Sequence, residues 1–140
     1  MIITITCNPA IDKTITSGNE VIFDVGGKGI NVSKVLNNLN IKSLITGFVG
    51  KENKNVVTED LDELELEHHF IEVDGRVRTN TKRIIDNVTY EDNEDGPIIS
   101  NKNIDDLFDK SSKDYTGKAN VQYPNGDTYS GYFKQGKREL

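Results

Sequence analysis

The sequence predicts an α/β fold in which helices cover a parallel sheet in three layers. Three observations support this prediction: a β-branched run at residues 2–6, two stretches with helical spacing of apolar residues, and further apolar runs between and after them. The resulting order of strand, helix, strand, helix, strand is typical of a parallel sheet whose crossover helices lie on its faces.

The first strand is predicted at IITIT (2–6), because an unbroken β-branched run is typical of a strand buried on both faces. The first helix is predicted over residues 32–39. Apolar side chains recur there at i, i+3, i+4 and i+7, namely Val32, Val35, Leu36 and Leu39.

SLITGFV (43–49) is an apolar run that ends at a glycine, and it predicts the second strand. Apolar residues then keep helical spacing through the acidic segment 57–64, which predicts the second helix. Shorter strand candidates follow at residues 70–73 and 83–85.

Composition and charge narrow the classes of protein. The 140 residues are 34% hydrophobic and carry a net charge of −6, which predicts a thin core and disfavours a nucleic-acid partner. The segment after Met1 has no basic region, and no apolar run reaches membrane-spanning length, so we expect a cytoplasmic protein. A single cysteine, Cys7, fits a reducing compartment, and we expect it to be a small buried residue.

The chain reads as two unlike pieces, residues 1–110 and 111–140. The first carries a net charge of −8 and the second a net charge of +2. The composition changes at the same place, from Ile, Val, Leu and Asn to Gly, Tyr and Lys, and the polar run 109–114 separates the two.

The most informative motif is VGGKGIN (25–31), which leads into the first predicted helix. Its glycines would let consecutive backbone N–H groups surround a polar ligand at the positive end of that helix. Neither the Walker A spacing nor the dinucleotide spacing fits. On the residues alone, a ligand-binding loop and a plain tight turn are equally supported.

Six short motifs together resemble the N-terminal part of the PfkB (ribokinase-like) carbohydrate kinases. They are NPAID (8–12), GGKGINVS (26–33), GFVG (47–50), RTNTK (78–82), DGPIIS (95–100) and IDDLF (104–108). The branch that they most resemble contains 1-phosphofructokinase and tagatose-6-phosphate kinase. The resemblance covers residues 1–110 and implies a partial ribokinase-like fold and ATP-dependent phosphorylation of a ketohexose phosphate.

The resemblance implies that part of the site binds the sugar. Asp12 matches a carboxylate that accepts hydrogen bonds from sugar hydroxyls. Gly26 and Gly27 match backbone that lies flat against the sugar, and Asn31 matches an amide that reads a hydroxyl.

Further residues match the part of the site that holds the sugar's phosphate. Lys28 matches a nearby cation, and Arg78 and Lys82 match the basic pair that grips the phosphate oxygens. Asn80 lies between the latter two and, on a strand, would share their face.

The chain also departs from the family pattern. Only residues 13–25 separate the Asp12 motif from the glycines, so the β-hairpin lid, which shields the sugar and often makes the dimer contact, is shorter by about ten residues. Members run about twice this length, and their second half carries the ATP contacts, the catalytic aspartate and its anion hole. The resemblance implies ATP and Mg²⁺ as cofactors, which this chain is not expected to bind by itself. We therefore expect sugar-phosphate binding without activity in isolation, and association with a further copy or a second chain.

Residues 111–140 predict a β-hairpin with strands at 119–123 and 128–133, joined by PNGD (124–127). This segment resembles a MORN repeat, which implies scaffolding, membrane-proximal tethering or dimer formation, although a solvated hairpin is the favoured interpretation. NGDTYSG (125–131) superficially resembles the family's catalytic loop. Because a strand-like run follows it, Asp127 receives no catalytic role.

Two other classes of function stay open. The chain could be an interaction protein that acts through the C-terminal hairpin, or an artificial joining of two gene pieces without a selected function. A metal site is not predicted, because the adjacent His68 and His69 would point to opposite faces of a strand and no third His or Cys lies at ligand spacing.

Overall fold

The computed structural model describes residues 1–112, 117–122, 128–134 and 137–138. The chain divides into two compact units, residues 1–98 and 99–140. The elements of the first unit are β1 (Ile2–Thr6), β2 (Ala10–Ile15), β3 (Val21–Gly26), α1 (Lys28–Asn38), β4 (Ser43–Gly50), α2 (Lys54–Glu63), β5 (Glu67–Val73), β6 (Arg78–Ile85) and β7 (Val88–Asn93). Those of the second unit are α3 (Asn101–Ser112), β8 (Gly117–Gln122), β9 (Thr128–Lys134) and β10 (Lys137–Arg138).

A three-stranded parallel sheet in the order β1-β4-β5 confirms the predicted α/β class. Its core joins side chains from both helices and the sheet. Ile30 of α1, Ile45 of β4, and Val57 and Leu61 of α2 are all completely buried in one cluster. The apolar residues that predicted β4 and α2 therefore form the centre of the unit.

The first helix packs on the sheet through one aliphatic, one small and one polar residue that lie outside its predicted apolar repeat. Gly29, Ile30 and Ser33 are its buried residues. The Ser33 hydroxyl lies 2.8 Å from both the Thr4 and the Ser43 hydroxyls, so hydrogen bonds fix the helix against two strands. The predicted helix is present, but most of its apolar repeat is exposed.

A close approach between β1 and β4 requires a glycine at position 47. Gly47 has a φ of 140°, and a Cβ atom there would lie 1.9 Å from the backbone oxygen of Thr6. The Thr6 hydroxyl in turn accepts a 2.9 Å hydrogen bond from the backbone N–H of Ile30, near the start of α1. Thr6 therefore joins β1, β4 and α1.

The second sheet, in the order β3-β2-β6-β7, was largely missed by the sequence analysis, which placed a strand only at residues 83–85 of it. β2 pairs with β3 in antiparallel and with β6 in parallel orientation. The residues between Asp12 and the glycines thus form a complete hairpin. Its turn is closed by a 2.9 Å hydrogen bond from the N–H of Thr16 to the oxygen of Glu20.

In the second unit, α3 begins at a reciprocal cap. The N–H of Asn103 donates to the Ser100 hydroxyl, and the N–H of Ser100 donates to the Asn103 side-chain oxygen. β8 and β9 pair in antiparallel orientation, and β10 pairs with β9. The predicted PNGD turn and Asp127 lie outside the described residues, so the MORN-like hairpin stays a prediction. No helix within the described ranges is long and apolar enough to cross a membrane.

Candidate functional site

The candidate site centres on a contact between β2 and β6. The parallel register places Asp12 of β2 opposite Asn80 of β6. The side-chain nitrogen of Asn80 donates a 3.2 Å hydrogen bond to Asp12 Oδ1. Both side chains are partly buried, and the hydrogen bond fixes the direction in which the carboxylate points.

Gly26, the last residue of β3, lies directly against this carboxylate. A Cβ atom at position 26 would lie 2.6 Å from Asp12 Oδ2 and 3.8 Å from the side-chain oxygen of Asn31. The structure therefore brings Asp12, Gly26, Asn31 and Asn80 together. The absence of a side chain at Gly26 leaves the space that the Asp12 carboxylate occupies.

Gly27 and Lys28 take different places at the start of α1. Gly27 is the cap residue with a φ of 135°, and a Cβ atom there would lie 2.5 Å from the Thr6 methyl group. A glycine at position 27 is therefore required for α1 to start this close to Thr6. Lys28 begins the helix and is exposed.

Arg78 lies at the end of β6 that is nearest to Asn8. It pairs in register with Ala10, and its guanidinium donates a 3.3 Å hydrogen bond from Nη2 to the backbone oxygen of Asn8. Its Nε is buried and has no hydrogen-bond partner among the described residues. Buried N–H groups normally have an acceptor, so this one is left unsatisfied among the described residues.

Lys82 lies on the same face of β6 as Arg78 but is not brought to the same point. Four residues separate them on one strand, which is about 13 Å between Cα atoms. The Lys82 ammonium lies 3.8 Å from Glu91 Oε1 on β7. The two predicted phosphate ligands therefore flank Asn80 from opposite ends.

Two surface clefts border this strand. One, of about 300 Å³, is lined by Asp12 and Asn80 together with Glu91 and Asn93 of β7. The other, of about 700 Å³, is lined by Arg78 among other residues of the adjoining loops. The first cleft has carboxylates, amides and two ammonium groups in its lining, a mixture that suits sugar hydroxyls. In the second cleft the guanidinium groups of Arg76 and Arg78 lie among the carboxylates of Asp74, Glu94 and Asp95, so its lining by itself does not favour an anion.

Asn8 is a site residue that the sequence analysis missed, although NPAID was one of the quoted motifs. Its side-chain nitrogen donates a 2.9 Å hydrogen bond to the backbone oxygen of Asp95. Its Oδ1 is buried and lacks a partner among the described residues, while a Cβ atom at Gly96 would lie 2.5 Å from that oxygen. Asn8 thus joins the Arg78 end of the site to the loop that follows β7.

Cys7 corrects a prediction. It was expected to be buried, but it follows the end of β1 and is exposed. Partial desolvation of its thiol nevertheless raises the pKa of Cys7 above its ordinary value. The Nε2 atom of His68, a residue that was considered as a metal ligand, lies 2.8 Å from Asp62 Oδ1.

Comparison with known proteins points to carbohydrate kinases in each case. Residues 1–136 match the family described as pfkB family carbohydrate kinase. The 1-phosphofructokinase of Haloferax volcanii is 33% identical over 120 residues, which is 78% of this chain and 39% of that protein. The 1-phosphofructokinase of Vibrio cholerae is 31% identical over 93 residues, which is 59% of this chain and 29% of that protein.

Solved structures show the same fold. A Staphylococcus aureus protein whose assignment as a phosphofructokinase is provisional is 32% identical and superposes with a TM-score of 0.76, covering 83% of this chain and 40% of that one. The Escherichia coli phosphofructokinase-2 in complex with fructose-6-phosphate has a TM-score of 0.70 at 17% identity, covering 78% and 40%. The chain therefore spans about 40% of the length of these structures and of the Haloferax relative.

Proposed function

The chain belongs to the pfkB family of carbohydrate kinases, and we propose that its 140 residues form the sugar-phosphate-binding part of a ketohexose-phosphate kinase. The observation that carries this proposal is the convergence of Asp12, Gly26, Asn31 and Asn80 beside Arg78. A second supporting observation is that both curated relatives described above are 1-phosphofructokinases.

In this proposal, Asp12 recognises the hydroxyl groups of the sugar. An ionised carboxylate only accepts hydrogen bonds, so it suits neighbouring hydroxyl donors. The hydrogen bond from Asn80 occupies Oδ1 and leaves Oδ2 directed toward Gly26. The bare backbone of Gly26 then lets the sugar approach the carboxylate, while the Asn31 amide reads a further hydroxyl.

Arg78 holds the phosphate of the substrate. Its Nη2 donates a hydrogen bond to the backbone oxygen of Asn8, which orients the guanidinium, and its remaining N–H groups donate to the phosphate. Lys28 and Lys82 are exposed, so they attract the anion at longer range rather than fix its position. The Lys82 ammonium also lies near the Glu91 carboxylate, which weakens its attraction for the phosphate further.

ATP and Mg²⁺ are the cofactors that the family implies. Across the described residues, no three His, Cys, Asp or Glu side chains converge as metal ligands, so we assign no Mg²⁺ site to them. We infer that phosphoryl transfer needs the part of the relatives that this chain does not span. The 140 residues by themselves bind the substrate without transferring a phosphoryl group to it.

Three finer predictions accompany this proposal. We place the protein in the cytoplasm, and we place the boundary between its two pieces at residues 110 and 111. We also expect association with a further copy or a second chain. A scaffold role for the C-terminal strands has no support, because every relative described above is assigned as a sugar kinase.

Isothermal titration of the purified chain with fructose 1-phosphate, tagatose 6-phosphate and unphosphorylated fructose tests the proposal. We expect saturable binding of at least one sugar phosphate and much weaker binding of fructose. Arg78→Ala should weaken the binding about tenfold or more, because a charged hydrogen bond to the phosphate is lost.

Arg83→Ala is the matched control. Arg83 is an exposed arginine of the same strand, but it lies five residues from Arg78, and this odd separation places it on the opposite face of the strand. The Arg83→Ala variant should bind the sugar phosphates as tightly as the unmodified chain does. Absence of binding in a folded sample, or equal binding by both variants, would contradict the proposed site.

A further inference from the structure

The side chain of Asn8 is the strongest feature that the proposed function leaves without a role. Asn8 lies in the connection between β1 and β2, and its backbone oxygen accepts the hydrogen bond from Arg78 Nη2. The following Pro9 restricts the backbone of Asn8 to extended conformations. Because the acceptor belongs to the backbone, whatever fixes the backbone of Asn8 also fixes the orientation of the Arg78 guanidinium.

The Asn8 amide is attached to the loop that follows β7, and this loop is attached to β6. The side-chain nitrogen of Asn8 donates a 2.9 Å hydrogen bond to the backbone oxygen of Asp95. The N–H of Thr79 donates a 2.7 Å hydrogen bond to Glu94 Oε1, and the N–H of Glu94 donates a 3.3 Å hydrogen bond to the Thr79 backbone oxygen. Because Thr79 directly follows Arg78 in the chain, these bonds and the one from Arg78 to Asn8 close a ring that begins and ends at Arg78.

Gly96 lets the Asn8 amide lie close against this loop. A Cβ atom at position 96 would lie 2.5 Å from Asn8 Oδ1 and 3.3 Å from Asn8 Nδ2, and the φ of 91° favours glycine. Gly75 offers a contrast, because its φ of 99° is similar but a Cβ atom there would lie 3.4 Å from Pro97, which is an ordinary contact. A side chain at position 96 would therefore displace the Asn8 amide, whereas one at position 75 would not.

The orientation of the guanidinium matters because Arg78 shares its cleft with carboxylates. Asp74, Glu94 and Asp95 line the same cleft. A guanidinium that is free to turn forms ion pairs with such groups, and these pairs compete with a phosphate for it. The backbone oxygen of Asn8 carries no full charge, so the hydrogen bond to it orients the guanidinium without neutralising it.

We propose that Asn8 is a positioning residue, whose side-chain amide holds the Arg78 guanidinium in the orientation that binds the phosphate of the substrate. Asn8 acts through the Asp95 loop and through its own backbone oxygen, and it does not contact the substrate. This inference rests on the proposed function, which assigns the phosphate to Arg78. A change at Asn8 or at Gly96 should therefore lower the affinity for a sugar phosphate although it removes no group that touches the phosphate.

The first test is NMR spectroscopy of the ¹⁵N-labelled full chain at mildly acidic pH, without any ligand. Arg78 is one of four arginines, and the loss of a signal in Arg78→Ala identifies its Nε–H. Because this N–H is buried, its exchange with water should be slow. Asn8→Ala and Gly96→Ala should each speed this exchange about tenfold or more, because the guanidinium is no longer held.

Each variant has a matched control. Asn37→Ala removes another side-chain amide that donates to a backbone oxygen, that of Leu64 at 3.3 Å. Gly75→Ala introduces a methyl group at a glycine with a similar φ to that of Gly96, without displacing the Asn8 amide. Neither control should change the exchange of the Arg78 Nε–H or the binding of a sugar phosphate.

The second test is titration of the full chain with fructose 1-phosphate. Asn8→Ala should weaken binding about fivefold in the unmodified chain, and less than about twofold when Arg78→Ala is already present. The reason for the difference is that the orientation of the guanidinium has no effect once the guanidinium is absent. A merely structural contribution of Asn8 would weaken binding by the same factor in both backgrounds.

Equal factors in the two backgrounds would overturn the proposal. Unchanged Nε–H exchange in both Asn8→Ala and Gly96→Ala would overturn it as well. If Asn8→Ala does not fold, Gly96→Ala decides both tests. If the folded, unmodified chain binds no sugar phosphate, the proposed function is wrong, and the exchange measurement still decides whether Asn8 holds Arg78.

Discussion

Gly26 and Asp12 are in such close contact that a methyl group on the glycine would lie 2.6 Å from the Asp12 Oδ2 atom. The atom that it would meet is the end of a side chain and not backbone, so the carboxylate can turn away at moderate cost. Gly26→Ala should therefore weaken sugar-phosphate binding about tenfold or more, with a change of less than about 2 kcal/mol in the free energy of unfolding.

Titration calorimetry and urea unfolding of the Gly26→Ala variant check this prediction. Gly18→Ala is the control, since a Cβ atom there would lie 3.9 Å from the nearest atom, the Thr16 hydroxyl oxygen. Unaltered affinity in the Gly26→Ala variant would show that the Asp12 carboxylate does not contact the ligand from its present position.

Gly47→Ala should have the opposite profile, with a large loss of stability. A Cβ atom at this position would lie 1.9 Å from the backbone oxygen of Thr6, and the φ of 140° is itself unfavourable for other residues. Neither strand can move without breaking the β1–β4 register. We expect a loss of more than about 3 kcal/mol, seen as a fall in Tm of about 10 °C or more. A Tm like that of Gly18→Ala would argue against this packing.

Lys34 should stabilise the attachment of β3 to the two helices. Its ammonium lies 2.8 Å from Asp24 Oδ1 and 2.6 Å from the backbone oxygen of Val25, and Asp60 Oδ2 is 3.7 Å away. Lys34→Met keeps most of the volume and removes these contacts. We expect a loss of about 1–2 kcal/mol in urea unfolding, with faster amide exchange in β3.

Lys51→Met is the comparison for the Lys34 variant. Lys51 pairs with Asp74 at 3.1 Å, but both side chains are largely exposed. Such a pair contributes little, so a loss of at most about 0.5 kcal/mol is expected. Equal losses in the two variants would mean that the contacts of Lys34 have no special effect.

Cys7 should react slowly with alkylating reagents at neutral pH. Partial desolvation of the thiol favours its protonated form and raises the pKa, so less thiolate is present at a given pH than in free cysteine. The alkylation rate should therefore rise at higher pH than for glutathione. Mass spectrometry of iodoacetamide-treated protein across a pH series measures it, and a midpoint at or below that of glutathione would contradict the prediction.

The sequence predicted the parallel sheet and both of its helices because their apolar residues are regularly spaced. Most of the second sheet escaped because β2, β7 and the first part of β6 lack that signal. β7 is exposed at all six positions, and β2 has half-exposed polar residues at its centre. A strand that is stabilised mainly by its neighbours has no periodicity of its own to detect.

The side-chain environments of α1 and Cys7 were harder to predict than the elements themselves. The sheet-facing side of α1 relies on Gly29 and Ser33, whose burial depends on close approach and hydrogen bonding rather than on hydrophobicity. Cys7 follows a strand that ends at Thr6, so it lies in the connection and not in the core. In the candidate site, the motifs indicated Asp12 and Asn80, but only the β2–β6 register explains how they meet.

The β2–β6 register also has a consequence for the order of folding. The hydrogen bond between Asp12 and Asn80 joins residues 68 positions apart, whereas the hairpin of β2 and β3 is local. Closing so long a loop has a large entropic cost, which slows the formation of this contact. The elements α1, β4, α2 and β5 all lie within the loop. The hairpin can therefore form early during synthesis, but the binding geometry must wait for β6. A chain interrupted before residue 80 would contain the glycine motif and still have no assembled site.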